Sequence, residues 1–192
     1  MNIPYLNKNE TKLLLQVKKD LERHEGFREF AYPDPLSKLA ATQKSKDWGF
    51  RPAKDIMKPG TNPATGNPWT YGFGFAVGVT PESRISRVQA ERKLEEHILA
   101  MDSTLADTLS WYRDASYVTR GVLINMAFNL GVVGLLKFKN SLAFLKAKDY
   151  QKAAHNLTLS LWYKQVGQRA RELVTRIETQ QIAPAHLAPE RL

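Results

Sequence analysis

Two carboxylates near the N-terminus, Glu25 and Asp34, are separated by eight residues and could act together on one bond. Glycoside hydrolysis needs such a pair, because one carboxyl must donate a proton to the leaving oxygen while an ionised one activates water or stabilises a positively charged sugar ring. Glu25 continues an apolar stripe and should be partly desolvated and protonated, whereas Asp34, between Pro33 and Pro35, should stay hydrated and ionised. The pair therefore predicts Glu25 as a general acid and Asp34 as its ionised partner.

Spacing alone does not separate this pair from ordinary surface carboxylates, because the chain contains 19 acidic residues. Asp47 and Asp55 are alternative candidates for the place assigned to Asp34. The choice depends on which carboxylate the fold brings towards Glu25.

The elements that must position these carboxylates are a helix and a small sheet. Leu14, Val17, Leu21 and Glu25 follow helical spacing, so Glu25 is expected at a helix end, and Gly26 can end that helix in a left-handed conformation. Residues 69–75 are aromatic and glycine-rich, which predicts a strand that bends at its glycines. Residues 35–68, between these elements, are rich in turn residues and predict a long loop with few short elements.

The remainder of the chain is expected to be helical. Ser86 and Gln89 have capping-box spacing before an apolar stripe, which predicts a long linking helix over residues 86–110. A helical lobe is predicted over residues 111–180, followed by a short tail over residues 181–192. The expected fold is α+β and mainly α: a single domain over residues 1–192, with a small β-lobe over residues 26–84, a larger helical lobe and a long helix joining the two lobes.

The composition limits the classes of partner and site. A net charge of +9 predicts attraction to polyanions, and the absence of cysteine excludes disulfides and thiolate metal sites. The four histidines have no ligand spacing, and no phosphate-binding loop or basic stripe with interleaved aromatics is found, so neither a metal, a cofactor nor a nucleic-acid partner is predicted. The only apolar run before Glu25 has three residues, whereas a secretory signal needs roughly 7–15, so no signal peptide is predicted. No segment approaches the roughly 20 apolar residues of a membrane span, so no stable membrane insertion is expected.

The order of these motifs resembles the phage lysozymes of glycoside hydrolase family 24. The first part of the resemblance is the Glu25–Asp34 spacing followed by Trp69-Thr70-Tyr71-Gly72-Phe73-Gly74. Residues 123–131 look like the central helix of that family, residues 138–142 like the helix start after it, and residues 162–171 like its closing segment. The resemblance covers most of residues 10–180 apart from residues 35–68, an insertion where the family has a short link.

The resemblance implies a role for several residues of this chain. Glu25 would be the proton donor, Asp34 would assist water, and the Thr70 hydroxyl would place that water on the far face of the sugar. Arg169 matches the arginine that pairs with the catalytic glutamate. Three further residues match positions that line the substrate cleft: Phe128, Ser141 and Asn156.

Each of these supporting residues also has a purely structural interpretation. Phe128 lies among apolar neighbours and could belong to the core, Ser141 could cap a helix beside Asn140, and Asn156 could face solvent. Thr70 could be an ordinary strand residue, and Arg169 could be one more surface charge.

The insertion carries six basic and two acidic residues, a net charge of +4. It could attract anionic wall polymer, or it could be a solvated loop without a specific role. The basic residues are Lys38, Lys44, Lys46, Arg51, Lys54 and Lys58.

The resemblance implies hydrolysis, with inversion, of the β-1,4 bond between N-acetylmuramic acid and N-acetylglucosamine in bacterial peptidoglycan, leading to host cell lysis. The alternatives are a lytic transglycosylase, which forms 1,6-anhydro ends, and a wall-binding module without activity. A phage enzyme of this kind is expected to be a monomer that waits in the host cytoplasm. A separate membrane-permeabilising protein, a holin, would then give it access to the periplasmic wall.

Overall fold

The computed structural model describes residues 8–181, so all of the predicted tail except Gln181 lies outside the described residues. The described chain contains eight α-helices and two β-strands. The helices are α1 Lys8–Glu25, α2 Lys38–Thr42, α3 Arg87–Thr108, α4 Tyr117–Leu135, α5 Lys139–Lys146, α6 Tyr150–Thr158, α7 Leu161–Val166 and α8 Gln168–Thr179. The strands are β1 Arg28–Pro33 and β2 Trp69–Gly72. This confirms the predicted α+β, mainly α class with a small sheet, and α3 is the long helix that was predicted over residues 86–110.

The described chain forms two compact units. Unit 2 is Leu21–Glu96, and unit 1 holds the described residues up to Asp20 together with those from His97 onward. The boundaries fall inside α1 and inside α3, so two continuous helices contribute residues to both units.

Helix α1 ends where its sequence pattern predicts. Leu14, Val17 and Leu21 are buried, and Glu25 is the last helical residue. Gly26 follows with a φ of +65°, a conformation in which glycine carries no steric cost. The backbone N–H of Gly26 still donates to the carbonyl of Glu22 at 3.1 Å, which closes the last turn directly behind Glu25.

In unit 2 the two strands pair antiparallel, with Tyr32 opposite Thr70 and Pro33 opposite Trp69. Strand β2 ends at Gly72, and a tight turn then returns Phe75 to Tyr71 through two backbone hydrogen bonds of 3.0 Å. This turn is the predicted bend at the glycines, since Gly72 and Gly74 both have positive φ.

The insertion between the strands is a folded excursion with its own small core. Leu39 of α2 and Ala53 of a short 3-10 turn are buried against Ala31 and Trp69, the flanking strand residues. Trp48, Met57 and Val79 pack around this core. The two ends of the insertion meet at Asp34, whose N–H donates to the carbonyls of Gly66 at 3.1 Å and Pro68 at 3.0 Å.

Unit 1 is helical and is built around α4. Val122 to Ala127 are buried, and Gly131 interrupts the helical backbone with a φ of 70° and a ψ of 159°, after which α4 continues to Leu135. By length and apolar composition alone α4 could cross a membrane, but half of it is buried inside the protein, which is the property of a core helix.

The capping box of α3 is confirmed, because Ser86 N–H donates to Gln89 Oε1 at 3.0 Å and Gln89 N–H donates to Ser86 Oγ at 3.3 Å.

Candidate active site

Three elements of unit 2 present the predicted catalytic residues. Glu25 ends α1, Asp34 directly follows β1, and Thr70 lies within β2. All three side chains are half-buried, so each is held by neighbours while it remains accessible to water.

Glu25 lies against the turn that follows β2. A Cβ atom built on Gly74 would be 3.7 Å from Glu25 Oε2. The turn at Gly74, which has a φ of +90°, therefore passes directly beside the Glu25 carboxylate. In this way the tight turn connects the end of α1 to the strand that carries Thr70.

Strand register brings Asp34 towards Thr70. Because Tyr32 lies opposite Thr70 and Asp34 follows two residues later, Asp34 and Thr70 are diagonal neighbours on one face of the strand pair. The Asp34 carboxylate accepts the backbone N–H of Leu36 at 2.6 Å, which fixes its orientation after the strand. The insertion therefore does not prevent the strands from pairing beside these two residues.

The Thr70 hydroxyl is oriented by the opposite strand residue. Thr70 Oγ1 donates to the backbone carbonyl of Tyr32 over a long contact of 3.4 Å. A hydroxyl has one proton and two acceptor sites, so a hydroxyl whose proton is used in this way can still accept a hydrogen bond from water.

Several charged side chains affect the pKa of the Tyr32 phenol. Burial raises the pKa of Tyr32 above its ordinary value of 10.0, and the negative charges of Glu25 and Asp34 raise it further. The positive charge of Arg28 acts in the opposite direction. The charges of both predicted catalytic carboxylates therefore reach the phenol of Tyr32, a residue that the sequence pattern does not mark as part of the site.

The alternative carboxylates have other surroundings. Asp47 lies 3.8 Å from the guanidinium of Arg51 in an exposed ion pair, and Asp55 is exposed on a 3-10 turn. The carboxylates with the largest effect on Tyr32 are Glu25 and Asp34. The arrangement favours Asp34 as the partner of Glu25.

In unit 1 the structure brings two predicted binding residues, Ser141 and Asn156, into contact. Ser141 Oγ donates to Asn156 Oδ1 at 2.7 Å. Ser141 is only 1% exposed and is the third residue of α5, so it is not the helix cap, while Asn156 on α6 is half-buried. The hydroxyl thus holds the amide carbonyl of Asn156, whose NH₂ group remains a donor.

Phe128 and Arg169 are each held by a neighbour within unit 1. The half-buried Phe128 ring contacts the ring of His97 edge-on, with centroids 5.8 Å apart. Arg169 Nε donates to Asn125 Oδ1 at 2.8 Å, and its Nη2 donates to the Asn125 carbonyl at 3.1 Å. Asn125 is buried on α4 and was not identified from the sequence, because its pattern is that of a core position. The pairing of Arg169 with Glu25 stays a prediction.

Over residues 8–181, no three potential metal-ligating side chains lie together. The six basic side chains of the insertion are all exposed. Whether they bind anionic polymer stays a prediction.

Comparisons with known proteins connect this geometry to a family. The sequence model of the phage lysozyme family matches residues 55–180. A curated protein of Dictyostelium discoideum, described as probable T4-type lysozyme 1, is 32% identical over 68 residues, which cover 35% of this chain and 40% of that protein. The match therefore spans less than half the length of this relative.

The matched segment contains Thr70 and the four predicted residues of unit 1, but it begins after Glu25 and Asp34. The assignment of these two carboxylates therefore depends on their spacing and on their positions at the end of α1 and directly after β1.

Proposed function

The chain belongs to the phage lysozyme family, and from that premise we propose that it hydrolyses the β-1,4 bond between N-acetylmuramic acid and N-acetylglucosamine in bacterial peptidoglycan. The observation that supports the proposal is that Glu25 ends α1 beside the turn at Gly74, while strand pairing makes Asp34 a diagonal neighbour of Thr70. Direct hydrolysis of a glycosidic bond with inversion requires a proton donor and an ionised carboxylate that activates water. The Thr70 hydroxyl would hold that water.

In the proposed reaction Glu25 gives its proton to the glycosidic oxygen as the bond from that oxygen to the anomeric carbon breaks. A water molecule bound to Thr70 attacks the anomeric carbon from the opposite face, and Asp34 takes the proton that the water loses. Glu25 is left ionised and Asp34 protonated, and exchange with solvent restores both groups. Attack on the opposite face inverts the anomeric configuration.

The residues of unit 1 are proposed to hold the sugar chain and support the acid. Phe128 would offer an apolar wall, and the Asn156 NH₂ group, oriented by Ser141, would donate to a sugar oxygen. Arg169, which Asn125 holds against α4, would pair with Glu25. In the wider context we propose host cell lysis by a monomer that reaches the periplasmic wall with the help of a holin.

Product analysis tests this proposal. Purified peptidoglycan is digested, the fragments are analysed by mass spectrometry, and the new ends are followed by proton NMR during the first minutes. Hydrolysis with inversion predicts reducing muramic acid ends that appear first as the α-anomer. Asp34→Asn should remove this activity, whereas Asp47→Asn, the matched control in the same unit, should retain it.

Two results would contradict the proposal. Fragments with 1,6-anhydro ends would identify a lytic transglycosylase, which needs a catalytic acid but no positioned water. Firm binding to the wall without any cleavage by the unmodified protein would identify a binding module.

A further inference from the structure

Arg28, at the start of β1, is a half-buried cation that the insertion holds in place. Its guanidinium carbon lies 4.0 Å from the centroid of the Phe50 ring, a distance at which a cation is attracted to the face of an aromatic ring. Phe50 belongs to the insertion and is 55% exposed, so this ring stays at the surface and supports the arginine there.

The backbone next to Phe50 fixes the stem of the same arginine. A Cβ atom on Gly49 would lie 2.7 to 2.9 Å from three carbon atoms of the Arg28 side chain, so the bare glycine backbone lies against the stem. Gly49 has a φ of +82°, and its carbonyl accepts the N–H of Phe30 on β1 at 2.9 Å. The insertion therefore contacts β1 beside Arg28 through a backbone hydrogen bond as well as through an aromatic ring.

The N–H donors of the Arg28 guanidinium have no acceptor within the described part of the chain. Within residues 8–181 no hydrogen bond or ion pair occupies Arg28, whereas the other arginines near the strands are paired, Arg84 with Glu29 at 2.6 Å and Arg87 with Glu91 at 2.8 Å. An arginine has five N–H donors in a planar fork. Contact with Phe50 uses the flat face of this group and leaves the donors at its edge for a ligand.

Arg28 also lies near the catalytic residues of its own unit. Strand pairing places Arg28 opposite Gly72, two residues beyond Thr70 on β2, and the positive charge of Arg28 lowers the pKa of the Tyr32 phenol. A ligand group bound by Arg28 would therefore belong to a molecule that occupies the region of these carboxylates.

We propose that Arg28, supported by Gly49 and Phe50, binds a carboxylate of the peptide stem that peptidoglycan carries on muramic acid. This inference rests on the proposed function, because it assigns a specificity to the same substrate. A planar guanidinium matches a carboxylate through two parallel hydrogen bonds, which favours a carboxylate over a diffuse array of charges. The insertion would thereby make the enzyme prefer glycan strands that bear peptides.

The test compares two substrates prepared from walls from which anionic phosphate polymers have been removed. One consists of glycan strands with their peptide stems. The other consists of strands from which an amidase has removed the stems and in which the lactyl carboxylates freed by that cleavage have been capped as methylamides. Arg28→Gln should raise KM for peptide-bearing strands by roughly ten-fold, the value of a lost charge-assisted pair, and leave kcat and the stripped substrate unchanged.

Arg28→Lys keeps the charge without the fork and should give a smaller increase in KM. Phe50→Leu keeps the guanidinium and removes the ring beneath it, so it should also act only on peptide-bearing strands. Arg92→Gln is the matched control, because it removes an exposed positive charge from the same unit.

An equal loss on both substrates would overturn the inference, because Arg28 would then act on the fold or on the reaction itself. A similar effect of Arg92→Gln would overturn it as well, because general charge would explain the preference. Turnover of peptide-bearing strands by the unmodified enzyme reports on the proposed function separately, so the absence of turnover on both substrates would reject hydrolysis rather than the role of Arg28 alone.

Discussion

The carboxylates of the two units have contrasting surroundings. In unit 1 Asp20 and Asp102 are buried, and arginine side chains bind both of them: Arg176 binds Asp20 through two hydrogen bonds, and Arg113 and Arg120 bind Asp102 at 2.6 and 3.0 Å. In unit 2 Asp34 is half-buried, and its carboxylate is held by the backbone N–H of Leu36.

This difference separates structural carboxylates from reactive ones. A buried carboxylate whose two oxygens accept hydrogen bonds from arginine side chains is kept away from water and from any substrate. A half-buried carboxylate held by one backbone donor keeps lone pairs that can accept a proton from water. The surroundings of an acidic residue, rather than its spacing in the sequence, therefore decide which of these roles it can have.

The largest expected effect is the loss of activity in Glu25→Gln. The amide has the shape of the acid but cannot donate its proton, so lysis of permeabilised cells should fall by about a hundred- to ten-thousand-fold. The melting temperature should remain close to that of the unmodified protein. Glu29→Gln is the matched control, because the exposed pair of Glu29 with Arg84 contributes little. A fully active Glu25→Gln enzyme would remove Glu25 from the mechanism.

The opposite behaviour is expected for Asp20→Asn in unit 1. This change leaves the charge of Arg176, which is 7% exposed, buried without its partner, and it should lower the free energy of unfolding by about 3–5 kcal/mol. Urea unfolding measures the loss, and activity per folded molecule should be retained. Asp107→Asn, an exposed change on α3, should leave stability unchanged. A loss of specific activity at full stability would contradict the division between the units.

A smaller effect is expected when the pH is lowered, because the contribution of Asp102 to the free energy of unfolding depends on its ionisation. Burial raises the pKa of this carboxyl, but hydrogen bonds from Tyr112, Arg113 and Arg120 outweigh burial and hold the pKa below its ordinary value of 3.8. A lowered pKa contributes stability above the ordinary value, and that stability is lost as the pH falls through the pKa of the folded state. The difference in unfolding free energy between the unmodified protein and Asp102→Asn should therefore be full at pH 7 and shrink below about pH 4. A difference that stays constant down to pH 2 would contradict this assignment.

Local patterns predicted the parts of the site that neighbours in sequence determine. The position of Glu25 followed from an apolar stripe and a glycine, because both act within one helix. The contact between Thr70 and Tyr32 joins residues 38 apart, and only strand pairing reveals it. The support of Arg28 by Phe50 likewise depends on how the insertion folds over Leu39 and Ala53, which a turn-rich composition does not specify.

The smallest expected effect concerns Ser141. Its hydrogen bond to Asn156 is an uncharged polar contact in unit 1, unlike the carboxylate–arginine pairs of Asp20 and Asp102. Ser141→Ala removes the hydrogen bond that holds the Asn156 amide, worth about 0.5–1.5 kcal/mol. If Asn156 donates to the sugar, KM should rise by roughly two- to ten-fold at unchanged kcat, with only a small fall in melting temperature. Ser103→Ala, exposed on α3, is the control. Lower stability with an unchanged KM would show that the orientation of the amide has no effect on substrate binding. The contact between Ser141 and Asn156 would then be purely structural, as the pairs of Asp20 and Asp102 are.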